Sequence, residues 1–123
     1  MTHLLLVGLG GALGAITRYG VDRIAIIQLG STVTGTLFVN ISGSFLLGLL
    51  TGVLISNSGW SEGSRIFFAV GFLGSYTTFS TLSLATVQAF EKGDVHIAIL
   101  NITGTVILGL IAAFTGILVG KII

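Results

Sequence analysis

The chain has 123 residues, of which 53% are hydrophobic and 7% charged, with a net charge of +1 and a mean hydropathy of +1.10. A water-soluble domain of this size carries about 25% charged residues, so the composition excludes one and makes lipid the solvent. The small net charge argues neither for nucleic acid nor for acidic substrates as partners, and the absence of cysteine excludes disulfides, thiolate chemistry and sulfur-ligated metals.

No Asp, Glu, Lys or Arg occurs in Thr2 to Thr17, Ile24 to Ser61, Ile66 to Phe90 or Val95 to Gly120. A helix needs roughly 20 apolar residues to cross a bilayer. The second stretch is too long for one simple span, and Gln28-Leu29-Gly30-Ser31-Thr32 supplies a turn inside it. The pattern predicts helices at about 3–26, 33–55, 64–90 and 95–121. These make an all-α membrane protein of four transmembrane helices in a single domain, residues 1–123.

The first helix opens without the basic flank of a signal peptide and runs through Gly8-Leu9-Gly10-Gly11-Ala12-Leu13-Gly14-Ala15 to Arg18, so it reads as a span. Gly10/Gly14, Gly48/Gly52 and Gly116/Gly120 stand at the spacing that lets helix backbones approach in lipid. In the second helix, Asn40-Ile41-Ser42-Gly43-Ser44-Phe45-Leu46-Leu47-Gly48-Leu49-Leu50 is echoed in the fourth by Asn101-Ile102-Thr103-Gly104-Thr105-Val106-Ile107-Leu108-Gly109-Leu110-Ile111, with six of eleven positions identical. A duplication and shared packing needs both account for the echo. Either way, each helix carries an amide beside small hydroxyls.

The third helix is the most informative. Ser75-Tyr76-Thr77-Thr78-Phe79-Ser80-Thr81-Leu82-Ser83 places seven hydroxyls in nine residues, just after Gly71 and Gly74. Each polar group left unpaired in hydrocarbon costs several kcal/mol. One or two hydroxyls could bond back to the preceding helical turn, but a cluster of this density predicts a helix broken in mid-membrane, lining a hydrated or ion-bearing path.

Charges at the span ends are nearly balanced. Arg65 and Lys121 fall on the side of the N-terminus; Arg18, Arg23 and Lys92 fall on the other. Orientation follows Lys/Arg asymmetry between the two sides, so the balance predicts insertion both ways and an antiparallel dual-topology dimer.

Catalytic candidates are lacking. The four carboxylates, Asp22, Glu62, Glu91 and Asp94, sit at predicted membrane edges, and no nucleophile–base pair or phosphate-binding loop occurs. The chain reads as a transport protein without enzymatic activity. A small dual-topology multidrug transporter fits its size, yet proton exchange relies on a buried Asp, Glu or His. The buried groups here are neutral: Thr36, Asn40, Ser42, Ser44, the 75–83 cluster, Asn101, Thr103 and Thr105. Hydroxyl and amide donors suit a dehydrated small anion, because they replace its hydration shell without trapping it. Phe79 either packs or presents its partly positive ring edge.

Four segments resemble the Fluc/CrcB fluoride channels. Gly11-Ala12-Leu13-Gly14-Ala15-Ile16-Thr17-Arg18-Tyr19 is similar to that family's first-helix signature, and Gly35-Thr36-Leu37-Phe38-Val39-Asn40 to its G-T-x-x-x-N segment. Gly71-Phe72-Leu73-Gly74-Ser75-Tyr76-Thr77-Thr78-Phe79-Ser80-Thr81-Leu82-Ser83 is similar to its G-x-x-G-x-x-T-T-F-S-T-F-S break. The Glu91-Lys92-Gly93-Asp94 turn and a glycine-rich last helix complete the likeness.

The resemblance implies a homodimer with two antiparallel pores that passes fluoride passively out of the cytoplasm through a bacterial inner membrane, giving fluoride resistance. By motif position, Asn40 would donate to the anion, and Phe79 would be the first phenylalanine of the pore. Thr36, Ser80, Thr81 and Thr105 would form a hydroxyl track, and Arg18 would face a vestibule. The backbone carbonyls of Gly74 and Thr77 from both copies would hold a structural Na⁺. Leu82 departs from the pattern, since the family's second phenylalanine stands at that position. An obligate heterodimer, with a homologous subunit supplying the missing ring, therefore stands beside the homodimer.

Overall fold

Gly30 and Gly93 turn the chain at one end of the molecule, with φ of 67° and 83° in the left-handed region. Glycine occupies that region without steric cost. The computed structural model describes residues 1–56 and 59–123. The loop expected after the second helix includes residues 57 and 58, which lie outside the described residues.

Helix α1 spans Thr2–Leu29 and α2 spans Thr32–Ser56. The third span, Glu62–Glu91, is composite. It comprises α3 (Glu62–Arg65), a π-helical segment (Ile66–Leu73), α4 (Gly74–Tyr76) and α5 (Phe79–Glu91). Helix α6 covers Val95–Ile122. All four spans are long and apolar enough to cross a membrane, and the protein is an all-α, multi-pass membrane protein. Their bounds agree with the sequence reading to within a few residues, and the helix break falls where the hydroxyl cluster predicts it. The π-helical turns are a finding of the structure. Gly74 N–H reaches Ala69 O, five residues back, and nothing in the sequence signals this widening.

Two glycine seams hold the spans together. Along α1, an added Cβ at Gly10 would strike Phe67 O and Phe72 N, and one at Gly14 would strike Phe72 O. From the opposite side, a Cβ at Gly71 would lie 3.0 Å from Gly10 Cα. The second seam joins α2 and α6. Gly48 lies against Ala113 O, Gly52 against Ile117 O, Gly116 against Phe45 O and Gly120 against Leu49 O. Both seams join spans that run in the same direction. Since lipid tails are as apolar as leucine, such helices associate through close backbone packing and dispersion.

Between the seams lies a small core of Val39, Leu73 and Tyr76, with Val21 and Phe72 packed on it. The Tyr76 hydroxyl stays paired at 3.0 Å to Ser42 Oγ, which also donates to Phe38 O at 2.7 Å. Several other hydroxyls bond back four residues within their own helices, including Thr17, Thr51, Thr103 and Thr115, which satisfies them within the bilayer.

Candidate functional site

The third span breaks at Thr77 and Thr78, whose backbones are extended at φ −79°, ψ 156° and φ −151°, ψ 121°. An extended pair inside a bilayer strands peptide groups that need partners. Asn40 supplies them. Its Oδ1 accepts from Thr78 N–H at 2.8 Å, and its Nδ2 donates to Thr78 O at 3.0 Å. The side-chain amide thus pairs with both the N–H and the C=O of one residue, as an antiparallel neighbouring strand would. Asparagine can do this because its amide carries both an acceptor and donors. Thr78 then starts α5, its Oγ1 accepting from Thr81 N–H at 3.2 Å as an N-cap.

These bonds have a consequence for two carbonyls. In an unbroken helix, Thr78 N–H would bond Gly74 O and Thr81 N–H would bond Thr77 O. Both donors are engaged elsewhere, so the Gly74 and Thr77 carbonyls lose their helical partners. On the other side of the break, the first N–H groups of α5 form the positive end of a half-helix at mid-membrane.

Beside the break lies a cleft of about 310 Å³, lined by Asn40, Gly43, Ser44, Leu47, Thr77, Thr78, Phe79, Leu82, Thr105 and Val106. Its lining carries no charged side chain, which suits an ion that must leave as readily as it enters. The structure therefore brings Asn40, Phe79, Leu82 and Thr105 together. Leu82 is 3% exposed, whereas Phe79 is 77% exposed. Thr105 is buried, and its Oγ1 has no partner.

Other residues singled out in the sequence lie apart from this lining. Thr36 is fully buried with an unpartnered Oγ1. Ser80 Oγ lies 3.2 Å from Thr78 Oγ1, and Thr81 Oγ1 accepts from the same hydroxyl at 3.2 Å, so both belong to the cap. Arg18 is half-buried on α1 with its Nε unpartnered. Sequence reasoning did not single out Thr78, although a threonine preceding a helix restart is an N-cap signal. It also left Gly43 and Leu47 without a role, because only packing reveals a cleft wall. No group of three or more His, Cys, Asp or Glu gathers among the described residues.

The sequence family described as CrcB-like protein, Camphor Resistance (CrcB), matches residues 5–117. The chain is a member of the CrcB family. Three curated relatives agree with it over nearly their full length. A protein of Dehalococcoides mccartyi is 39% identical over 124 residues, covering 100% of this chain and 95% of its own. One of Thermus thermophilus is 44% identical over 117 residues, covering 94% and 93%, and one of Rhizobium meliloti is 42% identical, covering 94% of each. All three are named fluoride-specific ion channel FluC. CrcB proteins of this kind are transporters, not enzymes.

Proposed function

We propose that this CrcB protein is a fluoride-selective channel that lets fluoride leave the cytoplasm passively across the bacterial inner membrane and so confers fluoride resistance. The Asn40–Thr78 pairing carries this reading. It holds open a helix break that presents amide, hydroxyl and half-helix donors to one uncharged cleft. Asn40 Nδ2 uses one N–H on Thr78 O and keeps a second, which we assign to the anion. Thr105 Oγ1 is a further donor, with Thr36, Ser80 and Thr81 extending the hydroxyl track and Arg18 drawing anions to its mouth. The exposed ring of Phe79 supports closure of the cleft by a second, antiparallel copy, which makes two pores.

The residues at the break also suit a structural Na⁺. The Gly74 and Thr77 carbonyls have given up their helical donors, and two copies related across the break would bring four such oxygens together. A monovalent cation supplies the positive charge that offsets their mutual repulsion.

Purified chain, reconstituted alone into fluoride-loaded liposomes, is expected to release fluoride to an ion-selective electrode when a potassium ionophore dissipates the voltage. Chloride-loaded liposomes should stay full. Release of both anions, or of neither, would refute a fluoride-selective channel of one subunit type. The second reading, an obligate heterodimer, rests on Leu82, which places an aliphatic side chain in the cleft wall. It predicts an inert chain that conducts only with a homologue bearing phenylalanine there.

A further inference from the structure

The echo between α2 and α6 has a structural counterpart on α5. Asn40 grips the residue that starts this helix. Asn101, its counterpart in α6, is 3% exposed and donates from Nδ2 to Thr86 Oγ1 at 3.0 Å. Thr86 Oγ1 in turn donates to Leu82 O at 2.8 Å. Thr86 is the polar member of the buried face of α5, formed with Leu82, Ala85 and Ala89. The two asparagines of the echo therefore hold one 13-residue half-helix at two heights, from two different spans.

We propose that Asn101 is a positioning residue, which fixes the rotation and register of α5 and through it the cleft-facing Phe79 and Leu82. This rests on the channel reading above. A half-helix needs such a constraint because the extended Thr77–Thr78 pair has severed its ladder to α4. Alanines on its buried face give little grip, and a helix turns by about 100° per residue, so a slip of one residue would carry Phe79 off the cleft. The amide of Asn101 acts without touching the ion. Its Oδ1 is buried and has no partner among the described residues, which costs stability.

That orphan atom makes the test specific. Asn101→Leu removes both the clamp and the unpartnered oxygen, while Thr86 Oγ1 keeps its bond to Leu82 O. The thermal midpoint should therefore hold or rise while fluoride release from liposomes slows about tenfold, as expected for one lost buried hydrogen bond. Thr86→Val should slow release similarly, Thr86→Ser should restore it, and the Asn101→Leu/Thr86→Val double variant should be no slower than either single change. Amide hydrogen exchange across residues 79–91 should quicken in Asn101→Leu and stay at the parent rate in Thr86→Ser. Parent-like release from Asn101→Leu, equal defects in Thr86→Ser and Thr86→Val, or additive losses in the double variant would overturn the clamp. If the parent alone releases no fluoride, the channel of one subunit type fails, and unchanged exchange across α5 in Asn101→Leu would separately refute the clamp.

Discussion

Asn40 shows how one side chain answers a problem that the backbone creates. A peptide group left bare in hydrocarbon costs several kcal/mol, and Asn40 satisfies both halves of Thr78. Asn40→Asp keeps the shape and the acceptor for Thr78 N–H but sets an oxygen against Thr78 O and removes the spare donor. Fluoride release should fall by at least about tenfold, from loss of at least about 1.4 kcal/mol, and liposome flux at the parent rate would rule out the assigned role. The neighbouring aromatic position is a second residue-scale test. A ring-edge contact is worth about 1 kcal/mol, so Phe79→Leu should slow release about fivefold. Leu82→Phe, which puts a ring in the cleft wall, should quicken it. Initial efflux rates at equal protein-to-lipid ratio measure both, and a Phe79→Leu variant as fast as the parent would remove the aromatic ring from the pathway.

Among the elements, the third span and the glycine seams divide the work. The break at Thr77 and Thr78 exchanges helical continuity for exposed carbonyls and donors, and this requires rigid neighbours. The seams provide them, since α1 and α6 approach their partners where Gly14, Gly48 and Gly116 leave no room for a Cβ. Gly48→Val would push a side chain into the Ala113 backbone carbonyl, which cannot move aside as a side-chain tip would. Overpacking of this kind costs roughly 1–3 kcal/mol, so the thermal midpoint in detergent should drop. Gly104→Val, where nothing lies within 4 Å of an added Cβ, is the control and should melt close to the parent. A Gly48→Val midpoint equal to that control would show the seam to be looser than the geometry indicates. The bared carbonyls of Gly74 and Thr77 lead to a further expectation. Purification with a bulky organic cation in place of Na⁺ should lower the melting temperature or the efflux of the assembled protein, and no effect on either would count against the cation site.

For the molecule as a whole, orientation is the open variable. Arg65 and Lys121 stand against Arg18, Arg23 and Lys92, a balance that gives insertion little direction. Two or three lysines added to the turn between Glu91 and Asp94 should bias every copy to one orientation. Efflux should then collapse, and co-expression with an oppositely biased copy should restore it. Reporter fusions at the C-terminus read the bias directly, and an unmodified chain found in one orientation would exclude the antiparallel assembly.

Hydropathy and the hydroxyl cluster of the third span are enough to read the four spans and the break, because a bilayer admits few backbone solutions and each leaves a mark in composition. The Gly71 to Ser83 and Gly35 to Asn40 segments likewise point to the break and to Asn40, which the structure brings together. Three features depended on the folded chain. The pairing of Asn40 with Thr78 joins residues 38 positions apart, and no periodicity encodes which amide will meet which peptide group. The clamp of Asn101 on Thr86 depends on how α5 is rotated against α6, which packing sets. The bared carbonyls of Gly74 and Thr77 follow from where two N–H groups go instead, and backbone atoms have no letter of their own in a sequence.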